Sequence, residues 1–156
     1  MGVIYYLSSG SSVLEIPSVA TTTRSSETEI DFFGVDLLFT DDLQLTAFGD
    51  YAEVTGLEAL RQAVRCRLLT TPGEYAIRPE YGCGLRQFVK KRATQSERDT
   101  LRQTIIDQLA QEERIQNVEE VTVESFTSGT ITGVKIFVRI VALGRENSFN
   151  VQTFAE

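Results

Sequence analysis

Hydrophobic residues are spread unevenly along the chain, and their spacing divides it. Over residues 1–30 they come only in short bursts, Val3 to Leu7 and Val13 to Ile16. Between and after these lie the Ser/Thr-rich runs SSGSS at 8–12 and ATTTRSSET at 20–28. A stretch this poor in apolar side chains buries little against itself and reads as an arm with at most one or two short strands. The folded module is expected to begin near Asp31. FFGVDLLF at 32–39 and the alternating LQLTAF at 43–48 read as strands, with Asp41 and Asp42 as the turn between them.

At Thr55 the period changes from two to about 3.6. Leu57, Leu60, Val64 and Leu68 recur at helical spacing, with Arg61, Arg65 and Arg67 largely off that stripe. Thr55-Gly56-Leu57-Glu58 has the form of a capping box, and Pro72-Gly73 ends the helix. Residues 73–85 are turn-rich. Pro79 disfavours helical geometry before it, so Ile77 and Arg78 are expected to be extended, while Gly82 and Gly84 around Cys83 predict a tight bend. Leu85, Phe88 and Val89 start a short second helix. A third opens at Thr94, again with Glu three residues on, and runs through Leu101, Ile105, Ile106 and Leu109.

The C-terminal part returns to period two. VEEVTVESF at 118–126 and ITGVKIFVRIVAL at 131–143 predict a β-hairpin turning near Ser128-Gly129, and SFNVQTF at 148–154 predicts one more strand. No internal repeat is visible. The fold class is therefore α+β: helices packed on a mixed or antiparallel sheet with a C-terminal β-hairpin, plus an N-terminal arm. The arm is assigned to 1–30 and the domain to 31–156. Val134, Ile136, Val138 and Ile140 alternate onto one face of the second hairpin strand. Placed at a sheet edge, that strand offers unpaired backbone groups to a partner strand, and Lys135 and Arg139 discourage nonspecific pairing. SFNVQTF either covers this edge or extends outward from it.

Composition narrows the chemistry. The 156 residues are 42% hydrophobic, enough for a real core, and no apolar run approaches the length of a membrane span. The N-terminus lacks the basic start of a secretory signal. There is no histidine, which removes the commonest general base and metal ligand. Cys66 and Cys83 read as two reduced thiols rather than a disulfide framework. The net charge of −7 is segregated: residues 1–60 carry one basic and ten acidic side chains, residues 61–102 ten basic and four acidic, and residues 103–156 four basic and eight acidic. Such a division suits oriented docking between subunits, although solvated helix faces produce it equally well.

Candidate catalytic and ligand groups are sparse. Glu74 and Glu80, beside Tyr75 and Tyr81, are the one carboxylate pair that could act as a glycosidase acid and nucleophile. Asp41-Asp42 and Glu119-Glu120 lack the alternating spacing of a calcium loop, and Gly82-Cys83-Gly84 lacks the third glycine and the Gly-Lys-Ser/Thr of phosphate loops. No cofactor or metal is expected. Arg86, Lys90, Lys91, Arg92, Arg98 and Arg102 form a basic stretch. In an acidic chain without a recognition-helix signature it reads as a solvated face or a surface for an acidic protein, not for nucleic acid.

LEALRQAVRCRLLTTPGEYAIRPEYGCGL at 57–85 carries a resemblance. The amphipathic helix, then Leu68-Leu69-Thr70 with Gly73-Glu74, then Pro79, Tyr81, Gly82 and Leu85, resembles the baseplate wedge and sheath-initiator family of contractile tails. That family is also labelled lysozyme-like. The similarity covers roughly residues 35–154. A second family signature, Glu-Pro-Arg after the last helix, reads Glu112-Glu113-Arg114 here, with Glu113 in place of the proline. The resemblance implies a structural baseplate component that is not an enzyme. Glu112 and Arg114 would grip the core bundle of the wedge, and strands added edge to edge would template the first sheath ring. The implied partners are other wedge proteins, the tail sheath protein, and tail tube or hub proteins, in several copies by sixfold symmetry, with neither nucleic acid nor membrane. The implied location is the tail baseplate of a virion assembled in the host cytoplasm, or a cytoplasmic injection machine. The alternative is a peptidoglycan-cleaving, muramidase-like enzyme acting through Glu74 or Glu80.

Overall fold

A computed structural model of the chain describes residues 32–40, 42–89, 94–128 and 131–155. The expected arm, the basic residues Lys90, Lys91 and Arg92, and the turn residue Gly129 lie outside the described residues. The order of elements is β1 (Val35–Leu37), β2 (Glu53–Thr55), α1 (Gly56–Leu69), α2 (Arg86–Val89), α3 (Gln95–Leu109), β3 (Ile115–Ser128), β4 (Ile131–Ala142) and β5 (Ser148–Ala155). Both sheets are antiparallel, so the fold is α+β.

The three-stranded sheet takes its order, β3-β4-β5, from two successive hairpins. Period-two alternation puts Val134, Ile136, Val138, Ile140 and Ala142 of β4 on one face, all buried, with Val121 of β3 and Phe149, Val151 and Ala155 of β5 alongside. The helices cover that face. α1 contributes Leu60, Val64 and Leu68, α3 contributes Leu101, Ile105 and Leu109, and Leu85 fills the space at the start of α2. These form one contiguous core, as the two helical stripes require.

The expected placement of β4 at a sheet edge is corrected. β4 is the central strand, paired with β3 from Ile115↔Ala142 to Ser128↔Ile131 and with β5 from Val134↔Ala155 to Val141↔Ser148. The short link after β4 explains it. Gly144 adopts φ +76°, and the Arg145 N–H donates to the Ala142 carbonyl, so the chain folds straight back onto β4. Val134, Ile136, Val138 and Ile140 are therefore core residues, at most 2% exposed, and their backbone is flanked on both sides.

The N-terminal strands are shorter than expected. Phe32 and Phe33 form a helical turn, β1 covers only Val35–Leu37, and its partner is β2 rather than 43–48. Residues 43–45 join through the single bridges Phe39↔Leu43 and Leu45↔Tyr51. Both helix starts matched a capping box, but only one forms it. Thr94 accepts from the Glu97 N–H, and Glu97 accepts from the Thr94 N–H. Thr55 makes no side-chain cap bond. It ends β2 opposite Val35, and Glu58 pairs instead with Arg61 at 2.8 Å.

Candidate functional site

The turn after α3 places Glu112 and Arg114 at the junction of several elements. The Glu112 N–H donates to the Leu109 carbonyl and the Ile115 N–H to the Glu112 carbonyl, so the chain turns from helix into β3 without a proline. Glu113, which occupies the proline position of the expected triplet, is exposed. The Glu112 side chain is 15% exposed and points inward between two arginines: Arg114 Nε lies 2.7 Å from its Oε1, and Arg67 Nη2 lies 3.6 Å from its Oε2. Burial works against the charged carboxylate, but the hydrogen bond and charge of Arg114 and the charge of Arg67 outweigh it. They hold the Glu112 pKa below its ordinary value.

Both arginines also reach beyond Glu112. Arg114 Nη1 donates to the Phe33 carbonyl at 2.9 Å, tying the N-terminal strands to the domain. Arg67 is buried, donates to the Gln108 carbonyl at 3.0 Å, and lies 4.5 Å over the Tyr81 ring. The Gln108 carbonyl also accepts from the Gln111 N–H, so Arg67 adds a second bond at the end of α3. Gln108 completes the junction: its Oε1 accepts from the Gly82 N–H and its Nε2 donates to the Glu80 carbonyl. Sequence reasoning missed Arg67 and Gln108. The available signal was spacing, since Arg67 follows Leu60 and Val64 at helical intervals and so falls beside the buried stripe.

The 70–85 loop closes onto the end of α1. Thr70 caps the helix, donating through both N–H and Oγ1 to the Cys66 carbonyl. The Gly73 N–H donates to the Pro79 carbonyl at 2.7 Å, and Glu74 Oε2 accepts from the Thr71 N–H at 2.9 Å. The turn runs further than expected at Ile77: the Arg78 N–H donates to the Tyr75 carbonyl, bending the chain through Ala76 and Ile77. Gly82 takes φ +110°, and a Cβ there would stand 2.3 Å from the Thr70 oxygen. Only glycine fits that approach. Gly84 donates to the same Thr70 carbonyl, and Leu85 descends into the core. Thr70, Gly73, Glu74, Pro79, Tyr81, Gly82 and Leu85 thus come together as one structural unit.

Chemically reactive groups are muted here. Burial pushes the Cys83 thiol up to about 12 and raises Cys66 as well, so neither is an activated thiolate at neutral pH. Cys66 and Cys83 are free thiols. Among the described residues no group of three or more acidic or cysteine side chains could hold a metal ion.

The sheet ends at two strand edges, which differ. β3 carries Glu119, Glu120 and Glu124 and two register irregularities, at Ile115/Asn117 and Val118/Glu120. Charges and bulges of this kind discourage strand addition. β5, SFNVQTFA, pairs without a register shift and holds neither charge nor proline.

Residues 26–140 match the family model described as the contractile injection system sheath initiator. Among solved structures, a candidate tail lysozyme from Geobacter sulfurreducens superimposes with a TM-score of 0.52 at 19% identity, over 64% of this chain and 91% of that one. The anti-feeding prophage baseplate contains a chain with a TM-score of 0.49 at 16% identity, over 78% of this chain and 85% of that one. No curated protein matches.

Proposed function

Because the chain belongs to the contractile injection system sheath initiator family, we propose that it is a baseplate component that starts the sheath by accepting a strand along β5. The observation that carries this reading is the asymmetry of the sheet. Among the described residues, β4 is enclosed, β3 is guarded by charge and bulges, and β5 is the strand of this sheet that presents a regular, uncharged edge. Main-chain hydrogen bonds along such an edge suit a partner strand of almost any sequence. Edge-to-edge addition thus moves from β4 to β5. The partners on this reading are the sheath protein at β5 and other wedge proteins elsewhere on the domain.

Glu112 and Arg114 serve wedge binding through the shape they maintain rather than as free charges. Their charged atoms are engaged within the chain, so what a partner meets is the junction they hold together. The role is structural. Of the two alternative catalytic carboxylates, Glu74 and Glu80, Glu74 accepts through Oε2 from the Thr71 N–H.

Sheath assembly on purified baseplates, viewed by negative stain, tests the β5 assignment. Truncation is a poor probe, since β5 supplies Phe149, Val151 and Ala155 to the core. Asn150→Lys with Gln152→Lys, at exposed positions, adds edge-protecting charge, and circular dichroism should show the fold retained although the lysine replacing Asn150 would face Arg139. We expect sheath recruitment to fail in this variant. Normal sheath on such baseplates would refute strand addition at β5. Peptidoglycan turbidity should stay constant with the purified protein, and clearing that disappears in Glu74→Gln or Glu80→Gln would instead establish the enzyme.

A further inference from the structure

The N-terminal strands present an apolar face outward. β1, β2 and the bridges between them form a small flap over residues 35–40 and 42–55. Val35 stands opposite Thr55, Leu37 opposite Glu53, Phe39 opposite Leu43, and Leu45 opposite Tyr51. Residues directly opposite in an antiparallel pair share a face, and neighbours along a strand alternate. Val35, Leu37, Phe39, Leu43, Leu45 and Tyr51 therefore share one face, and every one of them is exposed. Phe48, in the turn that connects the bridged segments, is 94% exposed. The intervening residues Leu38, Ala52 and Val54 are half-buried on the opposite side. Core formation explains that inner side and leaves the outer one unexplained, and contiguous apolar surface of this kind marks an interaction site.

The flap is held firmly in place. Gln62 of α1, buried within an amphipathic helix, reaches up to it with both ends of its amide. Its Oε1 accepts from the Phe39 N–H at 2.9 Å, and its Nε2 donates to Asp36 Oδ2 at 3.0 Å and to the Leu37 carbonyl at 2.8 Å. Arg114 anchors the base of the flap through the Phe33 carbonyl. A face fixed in this way loses little conformational freedom when it binds.

The charges that the flap segment itself carries outward have one sign. Asp42, Asp50 and Glu53 are exposed on it, Asp36 turns to Gln62 beneath, and no lysine or arginine occurs between residues 25 and 60. We propose that the flap is a docking face for a segment of another protein that presents apolar side chains bordered by Lys and Arg, in its simplest form an amphipathic basic helix. Electrostatic complementarity selects this occupant over the others. A second copy carries the same net charge of −7, and residues 1–31 of the chain itself hold one basic against four acidic side chains. An anionic membrane is repelled for the same reason. The flap is a separate element from β5, so the proposal stands whether or not β5 accepts a strand.

The probe is a fluorescent synthetic peptide of about 18 residues, five helical turns, with a leucine face and lysines elsewhere. A matched peptide carries glutamates for the lysines. Anisotropy titrations use the full chain. The lysine peptide should bind at least about tenfold tighter than the glutamate peptide. Leu45→Ser with Tyr51→Ser changes no charge, should leave thermal unfolding unaltered, and should weaken binding about tenfold or more, as loss of central apolar anchors does. Should that pair disturb the fold, Phe48→Ser at its fully solvated position gives the same test. Binding indifferent to these substitutions would overturn the proposal. So would a dimer mass by light scattering that the substitutions abolish, which assigns the face to a second copy. Peptide affinity that rises in Tyr5→Ser with Tyr6→Ser would also overturn it, by assigning the face to the chain's own arm.

Discussion

Replacing Gly82 by alanine should destabilise the domain far more than the same change at Gly73, and the difference isolates a single close approach. Both glycines have positive φ, +110° at Gly82 and +87° at Gly73. An L-residue held in such a region costs about 1–2 kcal/mol. At Gly73 an added Cβ meets nothing within 4 Å, so that strain is the whole effect. At Gly82 the Cβ would stand 2.3 Å from the Thr70 oxygen and 2.8 Å from its carbonyl carbon, and backbone must move. Thr70 moves only by disturbing the hydrogen bond it accepts from Gly84, and Gly82 only by disturbing the one it donates to Gln108. Each such bond contributes about 1 kcal/mol net. Gly82→Ala should therefore cost about 3–4 kcal/mol, equivalent to a fall in melting temperature of about 6–16 °C for a domain of this size. Urea denaturation of both variants, followed by circular dichroism, measures the difference. Equal destabilisation by the two alanines would refute the close approach between Gly82 and Thr70.

Two further predictions address the interior polar contacts. The Glu112 pKa is depressed on folding, so its contribution to stability is complete above the ordinary value of 4.5 and is lost as pH falls through the lower folded value. Wild-type protein should lose stability over that acid range, and Glu112→Gln should flatten the profile there while lowering stability at neutral pH; parallel profiles would sink the assignment. Gln62→Leu removes all three bonds from α1 to the flap and should cost about 1–3 kcal/mol. It should also speed hydrogen exchange at the Phe39 amide, and unchanged exchange there would show that α1 does not hold the flap.

From α1 onward the chain order of helices and strands is legible from residue spacing alone, whereas β2 at Glu53–Thr55 was not. α1 and α3 follow from stripes at three and four residues, and the third helix starts at the Thr94 capping box that the T-x-x-E string announces. β3, β4 and β5 follow from period-two alternation broken by glycine-containing turns. These are local signals, and a helix turn or hairpin involves residues only a few positions apart. The Thr70–Leu85 string was likewise visible, because its glycines encode turns directly, although the bend through Ala76 and Ile77 runs against the extension expected before Pro79. What the tertiary structure decided is how those pieces share neighbours. Whether β4 lies at an edge depends on whether β5 folds back onto it, and that turns on the link at Gly144. The T-x-x-E at Thr55 matches the one at Thr94, yet Thr55 is drawn into pairing with Val35, twenty residues earlier in the chain. Glu112 and Arg114 were identifiable as a pair, but their orientation was not. Arg67, Gln108 and Phe33 approach them from separate parts of the sequence, and only packing brings those groups within hydrogen-bond reach. The outward apolar face of the flap has the same origin: alternation shows that a strand has two faces, and which of them meets the core depends on the helix packed beneath it.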